Sequence, residues 1–235
     1  MNSTEHFAAK QKTTSLTGQT KILGTTIVGI PLIRLHRFAG LTLASFIALH
    51  LCNHLVALVS IEAHIRVMQA LRLVYRNPLI ETALMLAILV QVSSGITLVR
   101  QKIKGKGWRD KKLRAENVQI ASGLYMAFFL VAHVFAVMMG RHFFNLDTNF
   151  YFASAPLLSV FWWYYVVYYG LSVVAVFTHV ASIHYQKMQG RTTSQRSRTQ
   201  ALLIIVLGGV LAGLILAAFS GVVYEITLPK EYKWW

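Results

Sequence analysis

Histidines inside apolar segments are the residues of this sequence best suited to chemistry. His50 and His133 each lie within a long apolar run, and each follows a glycine, Gly40 or Gly123, by ten residues. A charged side chain at the centre of a membrane span costs about 2.5–3.5 kcal/mol, so such residues usually face the interior of a helix bundle and serve a function. Neutral imidazole lowers that cost and is a common metal ligand. The shared spacing therefore makes His50 and His133 candidate ligands.

The spacing extends to neighbouring polar residues, which indicates an internal repeat. A His or Gln lies four residues before each of the two glycines, and a Gln or His follows the two candidate ligands by 41 and 46 residues. These positions are His36 and Gln119, then Gln91 and His179. We therefore predict the duplication of a two-helix unit, followed by a fifth helix.

The depth of each histidine follows from the helix rise of 1.5 Å per residue. His50 and His133 are each placed roughly 6–7 Å to the outer side of the membrane midplane. His36 and His179 are placed roughly 13–15 Å to the inner side. Two imidazoles at matched depth suit an iron porphyrin held edge-on between helices, and axial bis-imidazole ligation favours one-electron transfer over oxygen binding. The sequence thus offers an outer and an inner histidine pair.

For other residues near these positions, the sequence indicates a role less specifically. Gly40 and Gly123 permit close approach of a flat macrocycle, although ordinary helix packing explains either glycine equally well. His54 lies one helical turn after His50 and is expected beside the cofactor rather than in a metal site of its own. His142 and Asp147, in the loop after the third span, either carry protons, line a quinone pocket or belong to a solvated loop.

The elements that must position these residues are apolar helices. The chain is 55% hydrophobic and 13% charged, with a mean hydropathy of +0.52, whereas soluble domains have about 25% charged residues. Roughly 20 apolar residues cross the hydrocarbon core of a bilayer, and five such runs occur. We place them at residues 33–60, 78–100, 117–140, 156–185 and 201–224. The predicted fold is an all-α integral membrane bundle of five transmembrane helices.

The basic residues indicate the orientation of this bundle. The N-terminal segment through Arg37 holds five Lys and Arg, residues 100–114 hold eight, and residues 187–198 hold four, whereas the intervening segments hold three, one and two. Because positive residues favour the cytoplasmic side, we predict a multi-pass protein of a bacterial-type inner membrane with its N-terminus inside. The net charge of +15 forms no groove-sized patch with interleaved aromatics, so a nucleic-acid partner is excluded.

The same pattern divides the chain into three parts. Residues 1–26 form a polar, basic cytoplasmic tail, residues 27–225 form the five-helix haem-binding domain, and residues 226–235 form a short outer tail. Between the first two spans, the segment Glu62–Arg76 carries apolar residues at helical spacing among arginines. It predicts an amphipathic helix on the outer membrane surface.

Taken together, these features resemble the membrane-anchor cytochrome b subunit of succinate:quinone oxidoreductases and fumarate reductases, most closely its single-chain five-helix type. The resemblance covers nearly the whole chain. It rests on the helix count, the topology, the basic second connection, the Gly-x9-His motif of spans one and three, and His179. The segment His36-Arg37-Phe38-Ala39-Gly40 is also similar to the His-Arg-x-Ser-Gly segment of related two-chain anchors, which implies a quinone site that includes Arg37.

The resemblance implies an outer haem b held by His50 and His133. It implies an inner haem held by His179 and a histidine of the second span, but that span contains no histidine and has Gln91 at the matching place. Glutamine is a poor ligand of haem iron. Either the inner haem is absent, or His36 replaces the missing ligand opposite His179.

The function implied by the resemblance is electron transfer. The chain would anchor an iron–sulfur subunit and a flavoprotein subunit of a succinate dehydrogenase or fumarate reductase to the cytoplasmic face, as a non-catalytic subunit of the respiratory chain. Electrons would pass between these partners and the membrane quinone by way of the haem. Two alternatives stay open: a stand-alone or differently partnered b-type membrane cytochrome, and a haem-free scaffold or transporter in which the histidines relay protons or only form hydrogen bonds between helices.

Overall fold

The computed structural model describes residues 26–27, 30–106 and 114–233, and within them the fold is helical. A pair of two-residue antiparallel strands, β1 (Thr26–Ile27) and β2 (Ile30–Pro31), precedes the helices. The helices are α1 (Leu32–Val56), α2 (Ile61–Tyr75), α3 (Pro78–Lys106), α4 (Arg114–His142), α5 (Phe150–Ser154), α6 (Trp162–Met188) and α7 (Ser194–Phe219). Short 3₁₀ turns cover Ala155–Leu158 and Lys230–Tyr232. The all-α prediction is confirmed, while nearly all of the predicted cytoplasmic tail, residues 1–26, lies outside the described residues.

Five of these helices are long and apolar enough, by length and composition, to cross a membrane. They are α1, α3, α4, α6 and α7. Large apolar side chains cover their outward surfaces, for example Phe38 (73% exposed), Leu89 (65%) and Phe135 (66%). Exposed apolar surface of this extent is costly in water, at roughly 25 cal/mol per Å², but not in lipid. The chain is therefore a multi-pass membrane protein, and lipid covers these faces.

The fifth span was expected at residues 201–224, but α7 covers Ser194–Phe219. Differences from the predicted bounds in two other spans have local reasons. The first span was expected to reach residue 60, but α1 ends at Val56 because Ser60 begins the next helix: its hydroxyl accepts a hydrogen bond from the backbone N–H of Ala63 at 3.0 Å. The fourth span was expected from residue 156, but α6 begins at Trp162 because the 3₁₀ turn that contains Pro156 comes first. A break in the helix therefore shortens each of the two longest predicted spans.

Helix α2 confirms the predicted amphipathic helix of residues 62–76, within one residue at each end. The apolar positions at helical spacing, Ile65, Met68, Leu71 and Val74, do not all lie on its buried face: the buried side chains of α2 are His64 and Met68, whereas Val74 is 58% exposed. The buried stripe therefore contains an imidazole that the apolar pattern alone does not include.

The spanning helices associate as two pairs and a fifth helix. Helix α1 packs mainly against α3, α4 packs against α6, and α7 lies along α6 with a smaller contact to α1. Each predicted two-helix unit is thus a packed pair, and the duplication of the unit stays a prediction. Because the helices alternate in direction, α1, α4 and α7 start at one end of the bundle, here called the N-terminal end, and α2 lies at the opposite end, the α2 end.

Connecting segments cover the α2 end. A buried cluster of Ala57, Phe150, Leu157, Ala218 and Phe219 joins the ends of α1 and α7 to the segment that follows α4. After α7 the chain folds back over this cluster, and the Tyr224 hydroxyl donates to the Ala57 carbonyl oxygen at 2.6 Å. The predicted outer tail is therefore packed against the protein as far as the structure describes it, with only 3% of Tyr232 exposed.

Candidate functional site between the helix pairs

His50 and His133 face each other across the interface between the two helix pairs. His50 belongs to α1 and His133 to α4, and their ring centroids are 6.1 Å apart with an angle of 64° between the ring planes. The structure thus brings together the two residues that the Gly-x9-His motif singles out.

A phenylalanine stacks on each of these imidazoles. Phe46 lies 5.8 Å from His50 with nearly parallel rings, and Phe129 lies 5.2 Å from His133 in the same arrangement. Each phenylalanine precedes its histidine by four residues and therefore lies one turn before it on the same helix face. The stacking restricts the plane of each imidazole. Our sequence reasoning missed both residues, although Phe-x-x-x-His occurs in both spans.

Two further histidines continue the cluster toward the α2 end. His54 Nε2 lies 3.0 Å from His50 Nε2, and the His54 ring stacks on His64 with centroids 5.6 Å apart. The Asn53 amide donates to His64 Nε2 at 3.2 Å. His54 is therefore beside the candidate ligand His50, and its predicted place beside a cofactor stays a prediction. In the part of the chain that the structure describes, no group of three or more His, Cys, Asp or Glu side chains is arranged to hold a metal ion.

His64 is the member of this cluster outside the spanning helices, and it is neutral at pH 7. Burial lowers its pKa to about 4, and the positive charge of Arg72 acts in the same direction. A buried neutral imidazole can both donate and accept a hydrogen bond, so its contact with Asn53 is compatible with burial. Its four-residue spacing from Met68 on α2 is the sequence signal for its burial.

At the N-terminal end, His36 is held by residues of the paired helix. His36 Nδ1 lies 2.9 Å from the Ser94 hydroxyl oxygen, and that hydroxyl also donates to the Val90 carbonyl oxygen. The Gln91 amide lies 3.2 Å from His36 Nε2. Since the amide is a donor, Nε2 accepts and Nδ1 carries the proton. Gln91, predicted at the place of a missing ligand, therefore binds the imidazole of His36.

His179 takes the corresponding place in the second pair. Its Nδ1 donates to the Gln119 carbonyl oxygen at 3.0 Å, and the Ser122 hydroxyl lies 3.4 Å from the same nitrogen. Its Nε2 has no hydrogen bond to any of the described residues. Imidazoles that ligate metals commonly donate their other ring N–H to a carbonyl oxygen in this way.

Three glycines make room for these polar side chains. A Cβ atom added to Gly95 would lie 3.2 Å from His36 Cε1, and one added to Gly123 would lie 3.1 Å from His179 Cε1. A Cβ atom added to Gly40 would lie 3.2 Å from the Gln91 amide nitrogen. Gly40 and Gly123 therefore let the polar side chains of the paired helix approach, and the predicted contact with a macrocycle stays a prediction. Gly95 follows Gln91 by four residues, and it makes room for His36 in the same way.

The two helix pairs exchange the positions of histidine and glutamine. In the first pair the imidazole is on the first helix (His36) and the glutamine on the second (Gln91), and in the second pair the order is reversed (Gln119 and His179). Each pair thus contributes one imidazole at the N-terminal end. Arg37 is exposed beside this region, and its predicted part in a quinone site stays a prediction.

Comparisons of this chain with protein-family models, with curated proteins and with solved structures find no match. The function must therefore be argued from the geometry of the histidines and from the arrangement of charge around them.

Proposed function

We propose that this chain is a haem b-containing membrane anchor. It passes electrons between a cytoplasmic iron–sulfur and flavoprotein partner and the membrane quinone, as in succinate dehydrogenases and fumarate reductases. The observation that carries the proposal is the opposition of His50 and His133, on helices of different pairs, with ring centroids 6.1 Å apart.

The separation of these rings fits two ligands of one iron. With imidazole–metal bonds of about 2 Å on both faces of one metal, the ring centres lie about 6 Å apart. A b haem with two axial imidazoles carries one electron at a time. Phe46 and Phe129 restrict the ring planes of the two histidines, which supports ligation without large rearrangement.

An unpartnered ring nitrogen of His54 favours the binding of a polar group from outside the chain at this place. Its Nδ1 is buried without a hydrogen-bond partner among the described residues, and a buried polar atom without a partner is costly. Its Nε2 is hydrogen-bonded to His50 Nε2, so ligation through that atom of His50 requires His54 to release it. We expect His54 to turn toward a propionate of the haem and to act as a neighbour, not as a ligand.

His179 and His36 are the candidates for a second haem. His179 presents a free Nε2 and donates from Nδ1, whereas His36 must first release the Gln91 amide from its Nε2. The inner pair therefore needs the same kind of exchange as the outer pair, in which His50 must lose its contact with His54. Binding of the inner haem depends on this exchange of partners by His36.

Exposed cations at the N-terminal end support attachment of a soluble partner there. Among the residues whose exposure the structure describes, the exposed basic residues of this end are Arg34, Arg37, Arg100, Lys104, Lys187, Arg191, Arg196 and Arg198. Arranged around the helix ends, they attract an acidic protein surface and orient its approach. By the positive-inside rule, this end faces the cytoplasm.

The test is a dithionite-reduced minus oxidised spectrum of the detergent-purified protein, with a pyridine haemochrome assay for haem per chain. We expect one b haem per chain for the His50–His133 site, or two if His36 and His179 hold a second. His50→Ala and His133→Ala should each remove the same spectral band. A b-type spectrum that survives intact in either variant would show that the pairing is wrong.

A matched control comes from His184. Its Nε2 lies 3.0 Å from the Gln200 side-chain oxygen near the N-terminal end, far along the sequence from both candidate ligands. His184→Ala should leave the haem content and the spectrum unchanged. Co-purification of flavin and iron–sulfur clusters with the protein from its native membrane then separates an anchor from a stand-alone b-type cytochrome.

A haem-free scaffold or transporter is the second candidate, and one observation favours it. The imidazoles of His36 and His179 already have hydrogen bonds to the paired helix, as in helices joined by polar contacts. Protein produced with ample haem supply and lacking a Soret band would exclude the anchor and the stand-alone cytochrome and leave this candidate.

A further inference from the structure

Three arginine side chains line one pocket at the α2 end. Arg72 and Arg76 come from the last turn of α2 and the residue after it, and Arg141 comes from the end of α4. The pocket has a volume of about 470 Å³, and the loop residues His142, Asn145, Leu146 and Asp147 complete its lining. None of the candidate haem ligands lines it.

The pocket contains too few acidic groups to balance its arginines. Arg141 is paired with the Glu81 carboxylate. Arg72 and Arg76 share a single carboxylate, that of Asp147, at N–O distances of 2.8 and 3.9 Å. One positive charge is therefore left without an acidic partner among the described residues that line the pocket.

The guanidinium groups are also short of hydrogen-bond acceptors. The Arg72 side chain is only 11% exposed. The Nε atoms of Arg72 and Arg76 are buried and have no hydrogen-bond partner among the described residues. Burial and the neighbouring charges of Arg72 and Arg141 lower the pKa of Arg76, as expected where positive charge is crowded. Buried charged donors without acceptors are costly, so the pocket favours an anion that supplies oxygen atoms.

The surroundings of the pocket indicate what could carry that anion. Leu73, next to Arg72, is 83% exposed, and Leu79, at the start of α3, is 82% exposed. The pocket thus opens beside apolar surface at the end of spanning helices, at the level of lipid headgroups. The planar guanidinium fork matches the oxygen geometry of phosphate.

We propose that the pocket of Arg72, Arg76 and Arg141 binds a phosphate group, supplied by the headgroup of an anionic phospholipid or by free phosphate. The phosphate oxygens accept from the unpartnered guanidinium N–H groups and balance the excess charge. None of the residues that form the site is a candidate haem ligand, so the site can be tested in protein with or without bound haem.

Binding can be tested with the full-length protein in detergent. Native mass spectrometry would measure retention of phosphatidylglycerol and of phosphatidylcholine, and thermal unfolding would be followed with inorganic phosphate and with chloride at equal ionic strength. We expect preferential retention of phosphatidylglycerol or a phosphate-specific rise in Tm. The first result assigns the site to a lipid headgroup, and the second assigns it to free phosphate.

Two variants and a matched control test whether the arginines of the pocket bind the ligand. Arg72→Gln and Arg76→Gln should each weaken binding of the preferred ligand about tenfold, the loss expected when a hydrogen bond to a charged group is removed. Arg66→Gln removes an exposed arginine of the same helix and should leave binding unchanged. Equal retention of both lipids with no phosphate effect, or an equal loss in Arg66→Gln, would overturn the proposal.

A variant with the opposite effect guards against misfolding. Asp147→Asn removes the carboxylate that competes with the ligand for Arg72 and Arg76. We expect this variant to bind the preferred ligand several-fold more tightly, a gain that an unfolded protein cannot produce. Unchanged or weaker binding in Asp147→Asn would contradict the assignment of these arginines as the ligand's partners.

Discussion

The plane of an imidazole determines how it presents its nitrogen to a metal, and in this protein a neighbouring phenylalanine sets that plane. Phe46 and Phe129 stack on His50 and His133 with interplanar angles of 15° and 12°. Stacked aromatic contacts contribute about 0.5–1.5 kcal/mol beyond burial. That energy is enough to favour one ring orientation over its alternatives.

Replacement of Phe129 by leucine should therefore change the haem environment without removing the haem. Leucine keeps apolar contact but not the flat face, so His133 gains rotational freedom. We expect haem content within about 20% of the wild type, following a stacking loss of only about 1 kcal/mol, together with a shifted low-temperature EPR signal of the oxidised haem. Phe135→Leu, on the exposed face of the same helix, is the control. Identical spectra for the two variants would argue against this role of Phe129.

His64 makes the stability of the α2 end dependent on pH. Its pKa is about 4 in the folded protein and about 6.5 in the unfolded chain. Between these values the unfolded chain binds a proton that the folded protein does not, so stability falls as the pH falls from about 6.5 to about 4. Above pH 6.5 this effect is absent.

The expected size is about 2 kcal/mol between pH 7.5 and pH 5. His64→Gln keeps a hydrogen-bond acceptor for Asn53 but removes the titrating group, so its stability should fall less over the same range. Thermal unfolding in detergent at the two pH values measures the difference. A pH dependence equal to that of the wild type would show that other histidines are responsible.

At the scale of the helices, glycine allows two paired helices to pack closely. The ring of His179 lies against the α4 backbone at Gly123, where a Cβ atom would come within 3.1 Å of its Cε1 atom. By contrast, a Cβ atom at Gly213 of α7 would meet nothing within 4 Å. Both glycines lie within spanning helices, but only Gly123 lies at the contact between two packed helices.

Gly123→Ala should therefore destabilise the pair of α4 and α6. Overpacking at such a contact costs about 1–3 kcal/mol, because His179 or the helix must move. Gly213→Ala should be neutral or stabilising by up to about 1 kcal/mol, since alanine is the better helix former. Thermal unfolding of both variants in detergent measures this difference. A larger loss of stability in Gly213→Ala would contradict the structure.

At the scale of the whole molecule, the two ends of the bundle differ in charge and in covering. Among the described residues, most of the exposed cations lie at the N-terminal end, whereas α2, α5 and the segment after α7 cover the α2 end. The positive charge of the N-terminal end therefore favours an acidic soluble partner there. At the α2 end it would meet the packed covering segments.

Topology can be tested with fusions at the C-terminus, which follows the covering segment at the α2 end. We expect a C-terminal alkaline phosphatase fusion to be active and a C-terminal green fluorescent protein fusion to be dark, because both report an external location. Truncation after Met188, at the N-terminal end of the bundle, should reverse both signals. A fluorescent full-length fusion would place the N-terminal end outside and remove the support for a cytoplasmic partner.

The sequence by itself determined the features that depend on local composition and periodicity. The length of an apolar run decides whether a helix can cross a bilayer, and four-residue spacing decides which residues share a helix face, so the five helices and α2 could be predicted. The Gly-x9-His motif likewise identified His50 and His133, because both copies lie within single helices.

Only the tertiary structure decided which helices pair and what each histidine meets. His36 lies beside Gln91, and His64 joins the cluster from a separate helix, through contacts between residues distant in sequence. The arginine pocket likewise combines α2, α4 and a loop. Such contacts depend on the packing of whole helices, which periodicity within one helix does not specify.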